Sequence, residues 1–240
     1  MRQPTYNESY DLKETLAVAC AVFRHQGFIK SNEGYWDPIL KIQVSGNRNA
    51  VLMTLRRAEG HDIGKDVTFA VEEQDRNHAE VVFQYFDQRL LMGKIGDNLT
   101  PYDQDLSRPF ETRIVLVRRD LGRIASLPNS YVTAKHREKL QVIYDENKQV
   151  GGFVGSPKER LKIEADVVDV KFLPKQDSHI ITAMTDEQRL VKFFIGSQPS
   201  DIASSVENKR ITFIGTVRDH EVSSFSGCHE TIFNRVKFLD

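Results

Sequence analysis

The chain has 240 residues and a formal net charge of −1, from 33 lysines and arginines against 34 aspartates and glutamates. With 40% hydrophobic and 28% charged residues, its composition is that of an ordinary folded protein and excludes wholesale disorder. The near-zero net charge excludes a protein held on nucleic acid by gross positive charge. A local basic groove remains compatible with it, because binding depends on where the charges lie.

Targeting and redox features point to the cytoplasm. No stretch approaches the roughly 20 apolar residues that a membrane helix needs. The apolar segment Leu16 to Phe23 follows Asp11 and Glu14 rather than a basic leader, so it does not fit a signal peptide. Cys20 and Cys228 lie far apart and cannot form a disulfide framework or a four-ligand zinc site. We therefore expect a cytoplasmic protein in a reducing compartment.

Apolar residues recur at helical spacing in the first 150 residues. Gly27 predicts the end of the first helix, Thr100 followed by Pro101 predicts a helix start, and Leu127-Pro128-Asn129 predicts a break. The run from Arg113 to Leu121 fits a strand as well as a helix. The predicted helical segments carry Leu12, Leu16, Ala19 and Phe23; Val51, Leu52 and Leu55 after a Ser45 cap; Ala79, Val82, Phe83, Phe86 and Leu90 inside Glu73 to Ile95; and Thr133 to Tyr144.

The segment from Gln149 to Pro157 contains three glycines and one proline. Such a composition is typical of a linker or turn. The sequence therefore predicts a boundary there, between a mainly helical domain at 1–150 and a second domain at 151–240.

The second domain has the period-two alternation of strands. In the first strand the alternation slips by one residue between Val167 and Val168, which predicts a β-bulge. The predicted elements are strands Arg160 to Phe172, His179 to Met184, Arg189 to Ile195, Arg210 to Val217 or slightly beyond, and Glu230 to Leu239, with a short helix at Gly196 to Val206. This order predicts an α+β protein whose helical part precedes a five-stranded OB-like β-barrel, with a sandwich or another small barrel as the alternative.

Several C-terminal segments carry a resemblance to a known family. They are Phe153-Val154-Gly155; His179-Ile180-Ile181-Thr182-Ala183; Thr185 to Phe194; Ile214-Gly215-Thr216-Val217-Arg218-Asp219-His220; and Glu230 to Lys237. Residues 150–240 resemble an OB-fold module of tailed-phage and plasmid proteins that are single-stranded-DNA-binding or replication-associated. The resemblance implies a non-enzymatic protein that binds single-stranded DNA, or RNA, in the host cytoplasm as an accessory to phage replication or recombination.

Single-strand binding requires cations for the phosphates and flat side chains on which bases stack. Strand alternation groups such residues on the last three strands, and we expect Arg218, Arg235 and Lys237 to lie together with Lys192 and Phe194 beside them. The candidate nucleic-acid-binding residues are Lys192, Phe194, Arg218, His220, Phe233, Arg235 and Lys237. The alternative is an ordinary solvated sheet face on which these cations only keep the barrel soluble.

Sequence support for catalysis is weak. The chain has no P-loop, dinucleotide-binding glycine motif, nucleophile elbow or H-E-x-x-H motif. We predict that it is not an enzyme and that it needs no metal or cofactor. Two alternatives remain: a phage protein whose barrel binds a host factor or virion component, and a metal-dependent nuclease that uses Glu164 and Asp166 near Lys171.

Overall fold

The structure is a computed structural model that describes residues 8–39, 41–64, 67–196 and 209–239. The chain is divided into two compact units, residues 1–134 and residues 135–240. Within the described ranges, none of the helices combines the length and the apolar character that crossing a bilayer requires.

The first unit is mainly helical, as the sequence predicts. Its elements are β1 (Ser9–Asp11), α1 (Leu12–Gln26), β2 (Tyr35–Asp37), β3 (Ile42–Val44), α2 (Asn47–Ala58), α3 (Glu73–Ile95), α4 (Pro101–Thr112), β4 (Ile114–Leu116) and the first part of α5 (Leu121–Val150). Two short antiparallel pairs, β1 with β4 and β2 with β3, accompany the helices.

Helix α1 lies at the centre of the core of this unit. Its N-terminus is capped by Asp11, whose carboxylate accepts a hydrogen bond from the Glu14 amide, and Gly27 ends it with φ of 68°. Residues on nearly every side of α1 are buried, and α2 and α3 pack against it. The predicted helices around Leu16, at Glu73–Ile95 and after Thr100 are confirmed.

Two local predictions in this unit are wrong. The N-cap of α2 is Gly46 rather than Ser45. Pro128 does not break the chain but lies inside α5. The helix continues through it because Ile124 and Leu127 are completely buried, and this burial offsets the loss of one backbone hydrogen bond at the proline.

The second unit contains a closed five-stranded barrel. Its strands are β5 (Arg160–Leu173), β6 (Ser178–Thr185), β7 (Leu190–Gly196), β8 (Arg210–Val222) and β9 (His229–Leu239). They follow the order β5-β6-β7-β9-β8 around the barrel, and β8 returns to β5. All neighbouring strands are antiparallel except β7 and β9. The α+β class and the OB-like barrel are thus confirmed; the helix predicted at Gly196 to Val206 lies almost wholly outside the described residues.

The bulge predicted in the first barrel strand is present. Val167 pairs with Ala183 and Asp169 pairs with Thr182, so Val168 is the extra residue. Val168 packs with Tyr144 of α5 in a small apolar cluster, whereas Val167 belongs to the barrel core. Because of the slip in alternation, Val167 packs in the barrel core and Val168 packs in the separate cluster with Tyr144.

The last part of α5 belongs to the second unit. The Tyr144 carbonyl accepts a hydrogen bond from the Cys228 thiol at 3.2 Å, and the Asn147 amide donates to the Gln188 carbonyl at 2.6 Å. The sequence boundary at residue 150 and the structural division after Ala134 differ by this segment. The reason is that the linker composition marks the end of the helix, while the helix packs against the barrel before it ends.

Candidate nucleic-acid interface

Cationic side chains lie on one outer face of strands β5, β8 and β9. The register aligns Lys162, Ile214 and Lys237 in one row across the three strands. Neighbouring strands are about 4.8 Å apart, so the backbones of the two lysines are separated by about 10 Å. The next row aligns Arg160, Thr216 and Asn234. We call Arg160, Lys162, Arg235 and Lys237 the basic face; all four residues are exposed.

A β-bulge explains how Arg235 reaches this face. Ile214 pairs with Lys237 and Thr216 pairs with Asn234, so Arg235 and Val236 both lie opposite Gly215. Arg235 has φ of 51°, in the left-handed region that glycine favours. Gly215 has no room for a side chain, because a Cβ there would lie 2.9 Å from the ring of Phe233. The bulge exposes Arg235 and returns Val236 to the core.

A second bulge contains Arg218. Val217 pairs with Phe233 and Asp219 pairs with Ile232, which leaves Arg218 without a residue opposite it on β9. Arg218 is exposed two residues beyond Thr216 on β8. It therefore lies next to the basic face along the strand, although no cross-strand register aligns it with Arg235 or Lys237.

Carboxylates neutralise little of the positive charge of the basic face and Arg218. Lys162 lies 3.5 Å from Glu164 in a pair whose two side chains are more than half exposed, and such pairs contribute little. The Arg160 guanidinium donates to the Thr216 hydroxyl at 3.4 Å. Within the described ranges, Arg218, Arg235 and Lys237 form no ion pair with a carboxylate. The cations are thus available to an anionic partner.

The basic face ends at an acidic cluster on the same side of the barrel. The Arg210 guanidinium donates two hydrogen bonds to Asp186, at 2.9 and 2.7 Å. Asp166 and Glu164 lie 3.5 and 3.8 Å from the same guanidinium. The hydrogen bond from Arg210 lowers the pKa of Asp186, and these carboxylates raise the pKa of Arg210. An anionic strand is therefore favoured over Arg160 and Lys162 and disfavoured beyond Glu164.

Phe194 is an exposed aromatic residue on β7. It follows Phe193, which pairs with Phe233 of β9, just as Asn234 follows Phe233. Phe194 is 44% exposed. Phe194 therefore lies one residue past the last paired positions of β7 and β9, and its exposed ring could stack on a base.

Lys192 has a structural partner instead of an open position. Its ammonium group forms an ion pair with Glu230, whose side chain is only 3% exposed. The hydroxyl of Ser226 also donates to Glu230, at 3.4 Å. Because the charge of Lys192 balances a buried carboxylate, its assignment as a phosphate contact is not supported by this geometry.

His220 lies on β8 four residues beyond Thr216, opposite Thr231 of β9. Its ring stacks on Phe153 with a centroid distance of 4.4 Å and an interplanar angle of 5°. Its Nε2 atom lies 3.4 Å from the Val154 carbonyl oxygen. His220 therefore helps to seal the chain segment that enters the barrel.

The assignment of Phe233 as a base-stacking residue is wrong. Phe233 is 1% exposed and packs edge-to-face on Phe213 in the barrel core, at a centroid distance of 5.5 Å. Strict strand alternation would place Phe233 on the same side as Arg235 and Lys237. The bulge at Arg235 breaks that alternation, so Phe233 points inward while Lys237 is exposed.

The residues considered for a nuclease site do not converge on a metal position. Glu164 and Asp166 surround the Arg210 guanidinium, and Lys171 lies beyond the bulge at Val168. Over the part of the chain that the structure describes, no three His, Cys, Asp or Glu side chains are grouped to hold a metal ion.

Arg160 and Lys162 are not among the candidates predicted from the sequence, all of which lie on the last three strands. Their signal was present in the first barrel strand, where both alternate with the core residues Leu161 and Ile163. The register of β5 with β8 was needed to bring them beside Lys237.

Comparisons with known proteins add little. No protein-family model and no curated protein matches the sequence. Among solved structures, the chain is similar to one described as the structure of RecG bound to a three-way DNA junction, with 19% sequence identity and a TM-score of 0.25. The match covers 35% of this chain and 11% of that one. At this level the likeness carries no functional argument.

Proposed function

We propose that the protein binds single-stranded nucleic acid, DNA in the first instance, on the basic face and Phe194. The observation that carries the proposal is the register across β5, β8 and β9. It aligns Lys162 with Lys237 around Ile214 on an exposed surface where carboxylate compensation is weak. Like charges at such spacing oppose one another, and a bound phosphate backbone would relieve this repulsion.

The left-handed conformation of Arg235 supports the proposal independently. Residues other than glycine, asparagine and aspartate seldom adopt this conformation, which costs roughly 1–2 kcal/mol. An arginine at that position gives the barrel no internal ion pair within the described residues. A ligand contact would explain an arginine at this position, although Arg113 and Lys158 hold the same backbone conformation elsewhere in the chain.

The biological setting is part of this proposal and comes from the sequence resemblance. The protein would act without catalysis, as an accessory to phage replication or recombination in the host cytoplasm. Its partners would be single-stranded DNA and replication proteins that work on the same strand.

A titration of a fluorescent single-stranded oligonucleotide tests the proposal. We expect saturable binding at low salt that weakens steeply as salt is added, because phosphate contacts release counterions. The Arg235→Glu variant should lose most of this binding with little change in melting temperature. Lys139→Glu, a charge reversal at an exposed position on α5, is the matched control and should bind normally. Absence of binding at low salt would refute the proposal.

Protein binding is a second candidate function, favoured by the turn between β8 and β9. Phe225 is 91% exposed there and Val222 is 59% exposed. Exposed apolar side chains at a hairpin tip suit contact with another protein. Pull-down from infected-cell lysate with and without nuclease separates the two functions, since partners bound only through nucleic acid disappear after digestion.

A further inference from the structure

A cleft in the first unit lies beneath the hairpin of β2 and β3. Its volume is about 430 Å³, within the range of small-molecule sites. One face of the hairpin, with Tyr35 and Val44 as a cross-strand pair, forms a wall of the cleft. Ala50 and Met53 of α2 and the ring of Phe69 form apolar parts of its surface.

The supporting frame of the cleft is fixed by a buried asparagine. Asn47 is 1% exposed, accepts a hydrogen bond from the Ile29 amide at 2.9 Å and donates to the Gly27 carbonyl at 2.9 Å. Gly46 allows the close passage of the chain, since a Cβ there would lie 2.5 Å from the Lys30 carbonyl oxygen. These contacts join the end of α1 to the start of α2 and preform the cleft.

The apolar lining is incompletely covered. Met53 and Phe69 pack on the main core of the unit but remain partly exposed towards the cleft. His25 lies against Phe69, with ring centroids 5.4 Å apart. Flat aromatic surfaces and a flexible methionine are suited to a planar, apolar-faced ligand.

The polar lining selects the edge of such a ligand. Gln26 donates its amide hydrogens to the Ser45 carbonyl and to Asn47, and Asn49 donates to the Ser45 hydroxyl. No described residue donates a hydrogen bond to the side-chain carbonyl oxygen of Gln26 or of Asn49, so both oxygens remain able to accept one. The described lining contains no lysine or arginine; the Asp37 carboxylate belongs to it and accepts a hydrogen bond from the Ile39 amide at 2.8 Å. This chemistry favours a ligand edge that donates hydrogen bonds and disfavours an anion.

We propose that this cleft binds a nucleobase carrying an exocyclic amino group, such as adenine or cytosine. The amino group would donate to the Asn49 or Gln26 oxygen, while the ring lies against the apolar and aromatic lining. Amide side chains are a common partner of adenine in proteins that read bases. The proposal does not depend on the basic face, which lies in the other unit.

The single tryptophan of the chain provides the measurement. Trp36 lies on β2 between two residues that line the cleft, and it is 57% exposed. Adenosine should change its fluorescence saturably at millimolar concentration or below. Uridine should bind about tenfold more weakly, because it lacks the exocyclic amino group, and ribose 5-phosphate should not bind. Equilibrium dialysis with labelled adenosine repeats the test without relying on Trp36.

Two variants test whether adenosine binds in this cleft. Asn49→Leu removes an exposed amide and should weaken adenosine binding about tenfold without changing the melting temperature. Gln84→Leu, an amide loss at an exposed position of α3, should leave binding unchanged. No adenosine binding by either method, equal binding of uridine, or unchanged binding by Asn49→Leu would overturn the proposal.

A competition experiment identifies the source of the base. Oligo(dA) is added to adenosine-loaded Arg235→Glu protein, in which the basic face is disabled. Displacement of adenosine means that the cleft accepts a base of a strand, and retention means that it takes the free nucleoside. Both results support a nucleobase site, and loss of oligonucleotide binding on the barrel leaves the adenosine measurement unaffected.

Discussion

Lys162 of β5 and Lys237 of β9 flank Ile214 of β8 on the outer surface of the barrel. These residues are 75 positions apart in the sequence, and only the closed barrel brings them together. Two cations held at this spacing by rigid strands form a fixed charge pattern. This pattern is the basis of the proposed contact with a phosphate backbone.

Arg235→Gly should separate stability from binding. Glycine relieves the left-handed backbone conformation, so we expect the free energy of unfolding to rise by about 0.5–1 kcal/mol. The same change removes a cation from the basic face and should weaken oligonucleotide binding severalfold. Denaturant unfolding and an oligonucleotide titration on one preparation measure both effects. A less stable protein with normal affinity would show that Arg235 serves the fold.

Phe194 and Phe233 should respond in opposite ways to substitution. Phe194→Ala removes an exposed ring and should weaken single-strand binding about tenfold, with little effect on the melting temperature. Phe233→Leu reduces packing in the core and should lower stability by about 1 kcal/mol while leaving affinity unchanged. Binding and thermal unfolding of the two variants decide the assignment. A loss of binding only in Phe233→Leu would instead identify Phe233 as the residue that stacks on a base.

The ion pair of Lys192 and Glu230 should behave as part of the fold. Lys192→Met leaves a buried carboxylate without its partner, and we expect a loss of about 3 kcal/mol in unfolding free energy. The double variant Lys192→Met/Glu230→Leu removes both charges and should recover much of this loss. Urea unfolding of the single and double variants measures the coupling. A stable Lys192→Met protein that binds oligonucleotide poorly would instead identify Lys192 as a phosphate contact.

Acid should destabilise the first unit through Asp75. Its carboxylate accepts a hydrogen bond from Arg24 at 2.8 Å, and this bond lowers the pKa of Asp75 below its ordinary value of 3.8. A lowered folded pKa stabilises the protein above the unfolded pKa. That stabilisation is lost as pH falls from about 4 through the folded pKa.

The fluorescence of Trp36 can follow this acid transition, because the residue lies in the first unit. Asp75→Asn should lower stability at neutral pH and weaken the dependence of stability on pH below about pH 4. Glu73→Gln, a change at an exposed neighbouring carboxylate, is the control and should retain the acid dependence. An unchanged acid profile in Asp75→Asn would show that other carboxylates dominate it.

The barrel could be predicted from the sequence because the residue patterns that specify its strands are local. Leu161, Ile163 and Ala165 alternate cleanly, and the slip at Val168 marks the bulge that bends the strand. Similarly, Thr100 and Pro101 start a helix by their own backbone chemistry. In these segments the local pattern and the tertiary packing agree.

The candidate site could be predicted only in part, because register is not a local property. Strict alternation assigned Phe233 to the outer face, and the unrecognised bulge at Arg235 reversed that assignment. The role of Lys192 depended on Glu230, a residue on another strand. No sequence spacing encodes these pairings, which arise when the barrel closes.

The salt dependence of oligonucleotide binding tests the central claim most directly. For the unaltered protein, we expect the logarithm of the binding constant to fall linearly with the logarithm of salt concentration. Removing Lys162 and Lys237 together by Lys162→Ala/Lys237→Ala should reduce the slope by about 1.4, or about 0.7 for each lost phosphate contact. An unchanged slope in the double variant, with binding intact, would contradict the assignment of the basic face as the nucleic-acid interface.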